Sequence, residues 1–224
     1  MLEAGNKYAR ISALLPPVWR TLPWPVLGAA GGSGLALAAV TRLVPGELDT
    51  TPALILLRAA ALVFALGLAF LLDDPARHLT EAVPTRRPVR TALRMALVAP
   101  PAGLCWTAAL LLVPGEIRPP AGAVTLEAAA LAALALIGAA AAVRFTDEPQ
   151  PGARVAAMLL ATTVLAVLLR PRWALFVAEG DPGWAAAHQR WAVLLALILL
   201  VGAMLLPEPI RRHRAMDSLL RAHR

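Results

Sequence analysis

The residues best suited to chemistry are few, and they gather at the edges of apolar runs. Asp73 and Asp74 stand at the end of one such run, directly before Pro75, and five arginines (Arg77, Arg86, Arg87, Arg90, Arg94) follow within about twenty residues. Paired carboxylates can hold a metal, share a proton or cap a helix. Asp73-Asp74-Pro75-Ala76-Arg77 is similar to the phosphate-binding motifs of some membrane enzymes. Those need further aspartates one or two turns on, and Glu81 is the only nearby acid. Capping is the reading that the neighbours support. A carboxylate at a helix C-terminus opposes the macrodipole, but Asp74 can cap a new helix with Pro75 as its first residue. "PARHLTEAV" then makes about two turns, residues 75–83, and stops before Pro84. Asp73 is left to pair with Arg77 or with the arginines of 85–90. Such an element fits two uses: a turn whose arginines face anionic lipid, or a rigid surface that docks a protein partner.

A second pair lies inside the apolar runs. Arg58 and Glu127 have opposite charge and similar depth, and ionisable residues in such runs mark functional positions. They can pair across a bundle. Alternatively, Arg58 snorkels outward and Glu127 caps its own helix start. His78, His188, His213 and His223 all fall in expected loops or tails, and none has metal-ligand spacing. The single cysteine, Cys105, lies within an apolar run beside no candidate base. These features disfavour an enzyme, and no metal or cofactor is expected on this chain.

The elements that must position these residues are apolar helices. The chain has 224 residues, 59% hydrophobic and 16% charged, with mean hydropathy +0.68. Ordinary globular chains carry about a quarter charged residues. An all-α integral membrane protein follows, with a single transmembrane domain. Six spans are expected at about 25–44, 52–72, 92–113, 124–145, 155–169 and 191–206, the fifth being short. They form a six-helix bundle over 25–206, between an N-terminal segment (1–24) and a basic tail (207–224). In "KYARISALLPPVWR", Tyr8, Ile11, Leu14 and Leu15 share one side, which suits an N-terminal interfacial helix.

Charge sets the orientation. Lys7, Arg10, Arg20, the five arginines after Asp74, Arg144, Arg154 and the five arginines of the tail put fifteen cations on one side. The other side has five: Arg42, Arg118, Arg170, Arg172 and Arg190. Both termini are therefore expected in the cytoplasm, across a plasma membrane. The net charge of +7 reflects these flanks, and no nucleic-acid partner is expected. The second, fourth and sixth spans each end in an acid and a proline: Asp73-Asp74-Pro75, Asp147-Glu148-Pro149 and Pro207-Glu208-Pro209. Either a faint hairpin repeat or one stop signal used three times accounts for the pattern. In the first span, Gly28, Gly32 and Ala36 form a small-residue stripe, suited to packing within the bundle or to a dimer seam. In the third, Pro100-Pro101 should kink or break the helix.

The N-terminal interfacial helix, the six spans and the short cytoplasmic helix between spans two and three resemble the membrane subunits of ABC exporters of the ABC-2 (type V) kind. The stretch "LLDDPARHLTEAVPTRRPVR" is similar to the first cytoplasmic loop of small actinobacterial membrane proteins that accompany ABC ATPases. The outer segment "RPRWALFVAEGDPGWAAAHQR" is shorter than in such exporters, with room for one short interfacial piece. The resemblance implies a permease subunit that provides the pathway for a hydrophobic or amphipathic substrate. A separate ABC ATPase chain would bind ATP and Mg, and a second copy or second membrane subunit would complete the transporter. Asp73, Asp74, Arg77, Arg86, Arg87, Arg90, Asp147 and Glu148 would dock the ATPase. The alternative is a non-transporting membrane scaffold that uses the same loop to hold a cytoplasmic protein.

Overall fold

The computed structural model describes residues 16, 18–43, 49–73, 87–146, 150–168 and 173–205, with backbone only at 87–90. The expected interfacial helix, the 75–83 helix, the tail and the positions Asp74, Arg77, Arg86, Asp147 and Glu148 lie outside these residues, as do the side chains of Arg87 and Arg90.

Among the described residues six long α-helices follow one another: α1 (Trp24–Leu43), α2 (Thr50–Ala69), α3 (Arg87–Leu112), α4 (Ala121–Phe145), α5 (Gly152–Val167) and α6 (Trp184–Leu205). A 3-10 turn, Gly115–Ile117, joins α3 to α4, and no strand occurs among the described residues. All helices except α5 are long and apolar enough to cross a membrane. Helix α5 has 16 residues, about 24 Å at 1.5 Å per residue, against the ~30 Å of a bilayer core.

Helix α2 is the hub. It packs against α1, α3, α4 and α5, whereas α6 packs chiefly on α4. Its sequence explains this position, because small and branched residues alternate around it. Ala53, Leu54, Leu57, Ala60, Ala61, Ala65, Leu68 and Ala69 are all buried. The closest approach is to α1. A Cβ at Gly34 would lie 2.4 Å from the Phe64 ring, and one at Gly67 would lie 2.5 Å from Ala30 Cβ. The α1 face used is thus Gly34, Ala38 and Thr41. Gly28, Gly32 and Ala36 are exposed instead, which corrects the expectation that this stripe packs inside the bundle. Both registers are small-residue stripes, and Phe64, which needs a missing side chain opposite it, selects between them.

Two other expectations change. Helix α3 runs unbroken through Pro100 and Pro101. Each proline removes one donor, but the flanking turns keep theirs, and both prolines lie on a weakly buried side. Helix α6 begins at Trp184, seven residues before the expected 191. The Asp181 carboxylate accepts from Gly183 N at 2.6 Å, and the Trp184 amide bonds Asp181 O at 3.0 Å. Asp181-Pro182 is therefore a helix start, and the alanines after Trp184 extend it.

Candidate functional site

Two polar clusters sit at opposite ends of α2. The first is built on Arg58, about two turns into α2, and Glu127, about two turns into α4. The Glu127 side chain is 1% exposed and is gripped in a fork. Arg58 Nε donates to Oε2 at 2.7 Å, and Nη2 donates to Oε1 at 2.7 Å. Such a planar bidentate pair is the strongest arrangement that a carboxylate and an arginine make. Arg58 also donates from Nη1 to Val177 O at 3.0 Å. Its guanidinium carbon lies 5.3 Å from the Phe176 ring and 5.9 Å from the Trp184 ring. One side of this cation is thus satisfied by charge, the other by a carbonyl and two π-faces.

His188 completes the cluster. Its early position on α6 makes it a helical residue and not the loop residue expected from sequence. Nδ1 lies 2.9 Å from Trp184 O, an acceptor, so Nδ1 carries the hydrogen. Nε2 is 3.1 Å from Glu127 Oε1 and, although buried, makes no hydrogen bond. With the hydrogen on Nδ1, Nε2 and the carboxylate oxygen are both acceptors, so the ring abuts the carboxylate without joining the fork. The signal for His188 was present in sequence: it follows Trp184 by one turn, and Asp181-Pro182 announces the helix.

The segment 173–183 closes over this cluster. Three side chains hold three of its carbonyls: Arg190 Nη1 on Ala174 O at 2.7 Å, Trp191 Nε1 on Leu175 O at 2.9 Å, and Arg58 on Val177 O. Phe176 packs edge-on against Trp191 at 5.3 Å. The chain then turns at Gly180, whose φ of 86° lies in the left-handed region that suits glycine. Non-helical backbone beside apolar helices needs its carbonyls satisfied, and these donors supply three of them.

The second cluster forms where α2 ends. Asp73 Oδ1 accepts from Gly152 N, the first residue of α5, at 2.8 Å. Pro151, which precedes α5, offers no side-chain cap, so Asp73 caps the helix from another part of the chain. A Cβ on Gly152 would lie 2.6 Å from Phe70 and 2.7 Å from Asp73 Oδ2, so the contact requires glycine. Arg94, 6% exposed, reaches Asp73 O and Thr21 Oγ1, both at a long 3.4 Å. The carboxylate of Asp73 caps α5; its expected partners, Arg77 and the arginines of 85–90, lie outside the described side chains. Arg94, counted in sequence only as a loop cation, is a buried residue of α3.

Arg42 and Arg144 follow one rule. Arg42 donates to the last carbonyls of α3, Leu112 O at 2.7 Å and Leu111 O at 3.0 Å, and Arg144 donates to Leu205 O at the end of α6. Cations there complement the helix dipole and satisfy orphan carbonyls. No group of three or more metal-ligating side chains occurs among the described residues. Compared with protein-family models, curated proteins and solved structures, the chain matches none.

Proposed function

We propose that this chain is a multi-pass protein of the bacterial cytoplasmic membrane, with both termini in the cytoplasm, and that it is the transmembrane subunit of an ATP-driven exporter. A separate ABC ATPase would hydrolyse ATP, and a second membrane subunit, identical or not, would complete the pathway. The observation that carries this reading is the Gly152 N–Asp73 Oδ1 hydrogen bond. It ties the connection after α2 to the connection before α5. In this orientation both connections are cytoplasmic, so an ATPase that moved one would move the other. The Arg58–Glu127–His188 cluster then lies at the outer end, under the 173–183 segment, as a closure that opens only if a bidentate pair parts. The substrate is apolar or amphipathic. Among the described residues the buried polar side chains are Thr41, Arg94 and Glu127, each engaged, which leaves no polar path. That same lack favours the second reading, a scaffold that docks a cytoplasmic protein without transport.

Co-purification tests the proposal. The full chain, co-expressed with an ABC ATPase encoded beside it, should retain that ATPase at fixed stoichiometry and raise its ATP turnover. Asp73→Ala should leave the chain inserted and monodisperse while lowering that stimulation. A wild-type chain that retains no ATPase would overturn the exporter reading. Retention with turnover unchanged from the free ATPase would favour the scaffold.

A further inference from the structure

Between α1, α2 and α3 a groove of about 240 Å³ opens sideways from the bundle. Trp24, Gly28 and Gly32 of α1, Phe64 of α2, and Val98 and Cys105 of α3 line it, with almost no polar surface. It exceeds the ~150 Å³ of an apolar cavity that stays dry and admits benzene. We propose that this groove holds one acyl chain of an anionic glycerophospholipid, with its headgroup at the Arg20 end. The inference rests on the membrane location proposed above, but not on transport.

The shape argues for a chain. Gly28 and Gly32 are exposed, and a Cβ at either would meet nothing within 4 Å, so their missing side chains are not needed for packing and leave a slot. A second helix, about 10–12 Å across with its side chains, would bridge such a slot and not fill it. The polar end argues for an anionic lipid. Trp24 lines the groove and stacks on Trp19 at 4.3 Å, with its Nε1 donating to Trp19 O at 2.9 Å. Amphipathic rings of this kind sit at headgroup level. Arg20 is exposed beside them and precedes Thr21, whose hydroxyl faces Arg94. Val98, one turn after Arg94, begins the apolar lining on α3. A phosphate there meets the exposed Arg20 at headgroup level.

Cys105 makes the site readable, since its Sγ lies 3.7 Å from where a Gly31 Cβ would be, inside the groove. The purified full chain is mixed in detergent with equal amounts of dioleoylphosphatidylglycerol and dioleoylphosphatidylcholine, and retained lipid is counted by native mass spectrometry. A single phosphatidylglycerol per chain should be retained in preference, and it should slow alkylation of Cys105 by N-ethylmaleimide. Gly28→Leu with Gly32→Leu should lower retention roughly tenfold or more, the factor that 1.4 kcal/mol of lost binding gives. Arg20→Gln should abolish the headgroup preference while Cys105 stays protected. Equal retention of both lipids by the wild type would overturn the proposal. So would Cys105 labelling that ignores lipid, which needs no variant to measure. A wild-type dimer that the leucine variant turns into monomer would assign the groove to a second copy and overturn it as well.

Discussion

The two polar clusters at the ends of α2 solve the same problem with different chemistry. At one end Glu127 is fully buried and neutralised by another charge, Arg58. At the other, Asp73 caps the start of α5 by accepting from a backbone amide. A buried ion pair adds little over a well-packed apolar pair, but removing one partner strands a charge at about 3–5 kcal/mol. A capping carboxylate is worth about 0.5–2 kcal/mol and leaves only an unfilled amide when lost. The first cluster should therefore behave as a lock that fails abruptly, and the second as a hinge that weakens by degrees.

The largest effect should follow Arg58→Ala, which leaves Glu127 buried without its fork. Glu127→Ala should cost less, because Arg58 is 14% exposed and keeps the Val177 carbonyl and two aromatic faces. Thermal unfolding in detergent should rank the two in that order, and a double-mutant cycle should give coupling well above zero. The reciprocal charge swap should not restore stability. It would put a carboxylate against the Val177 carbonyl and the negative faces of Phe176 and Trp184. Equal losses from the two alanine variants would break the comparison at its strong end.

Gly152→Ala comes next, at about 1–3 kcal/mol, because the new methyl meets Phe70 and both Asp73 oxygens. Asp73→Asn keeps an acceptor for Gly152 N and should lose less than the alanine change at Gly152. If Asp73→Asn proved the worse of the two, the carboxylate charge and not the cap geometry would govern this end.

The smallest effect is expected from His188→Phe. The ring keeps its place 4.2 Å from Trp184, the Nδ1 hydrogen bond to Trp184 O goes, and the unbonded Nε2 beside Glu127 is removed. The two changes oppose each other, so the shift should fall within about 0.5 kcal/mol. A large loss would mean that His188 is a true third member of the lock.

The apolar helices were legible because their length and composition admit little else. Arg58 and Glu127 were legible as a pair for the same reason: isolated opposite charges in apolar runs have few partners. What sequence hid were relations between helices. The choice of Gly34 over Gly28 as the packing register depends on where Phe64 points. Asp73 meeting Gly152 depends on the packing of α5 against α2. The helix start at Asp181-Pro182 was readable by the same capping argument that Asp74-Pro75 invites, and Trp184 to Arg190 would then have been assigned to a helix, His188 included. Residues 74–86, which carry two of the four expected docking arginines, lie outside the described structure.

The separation of Arg58 from its partner bears on how such a chain is made. Glu127 follows Arg58 by 69 residues. At about 5–20 residues per second, a ribosome needs roughly 3 to 14 seconds to supply it. Through that interval α2, the helix around which the bundle is built, carries an unpaired guanidinium into or beside the bilayer. It can settle only when α4 arrives, so α1 to α4 should leave the insertion machinery as a group, with α6 joining the α4 face last. Gly152, 79 residues beyond Asp73, arrives between those steps, when the hub is already in place to receive α5.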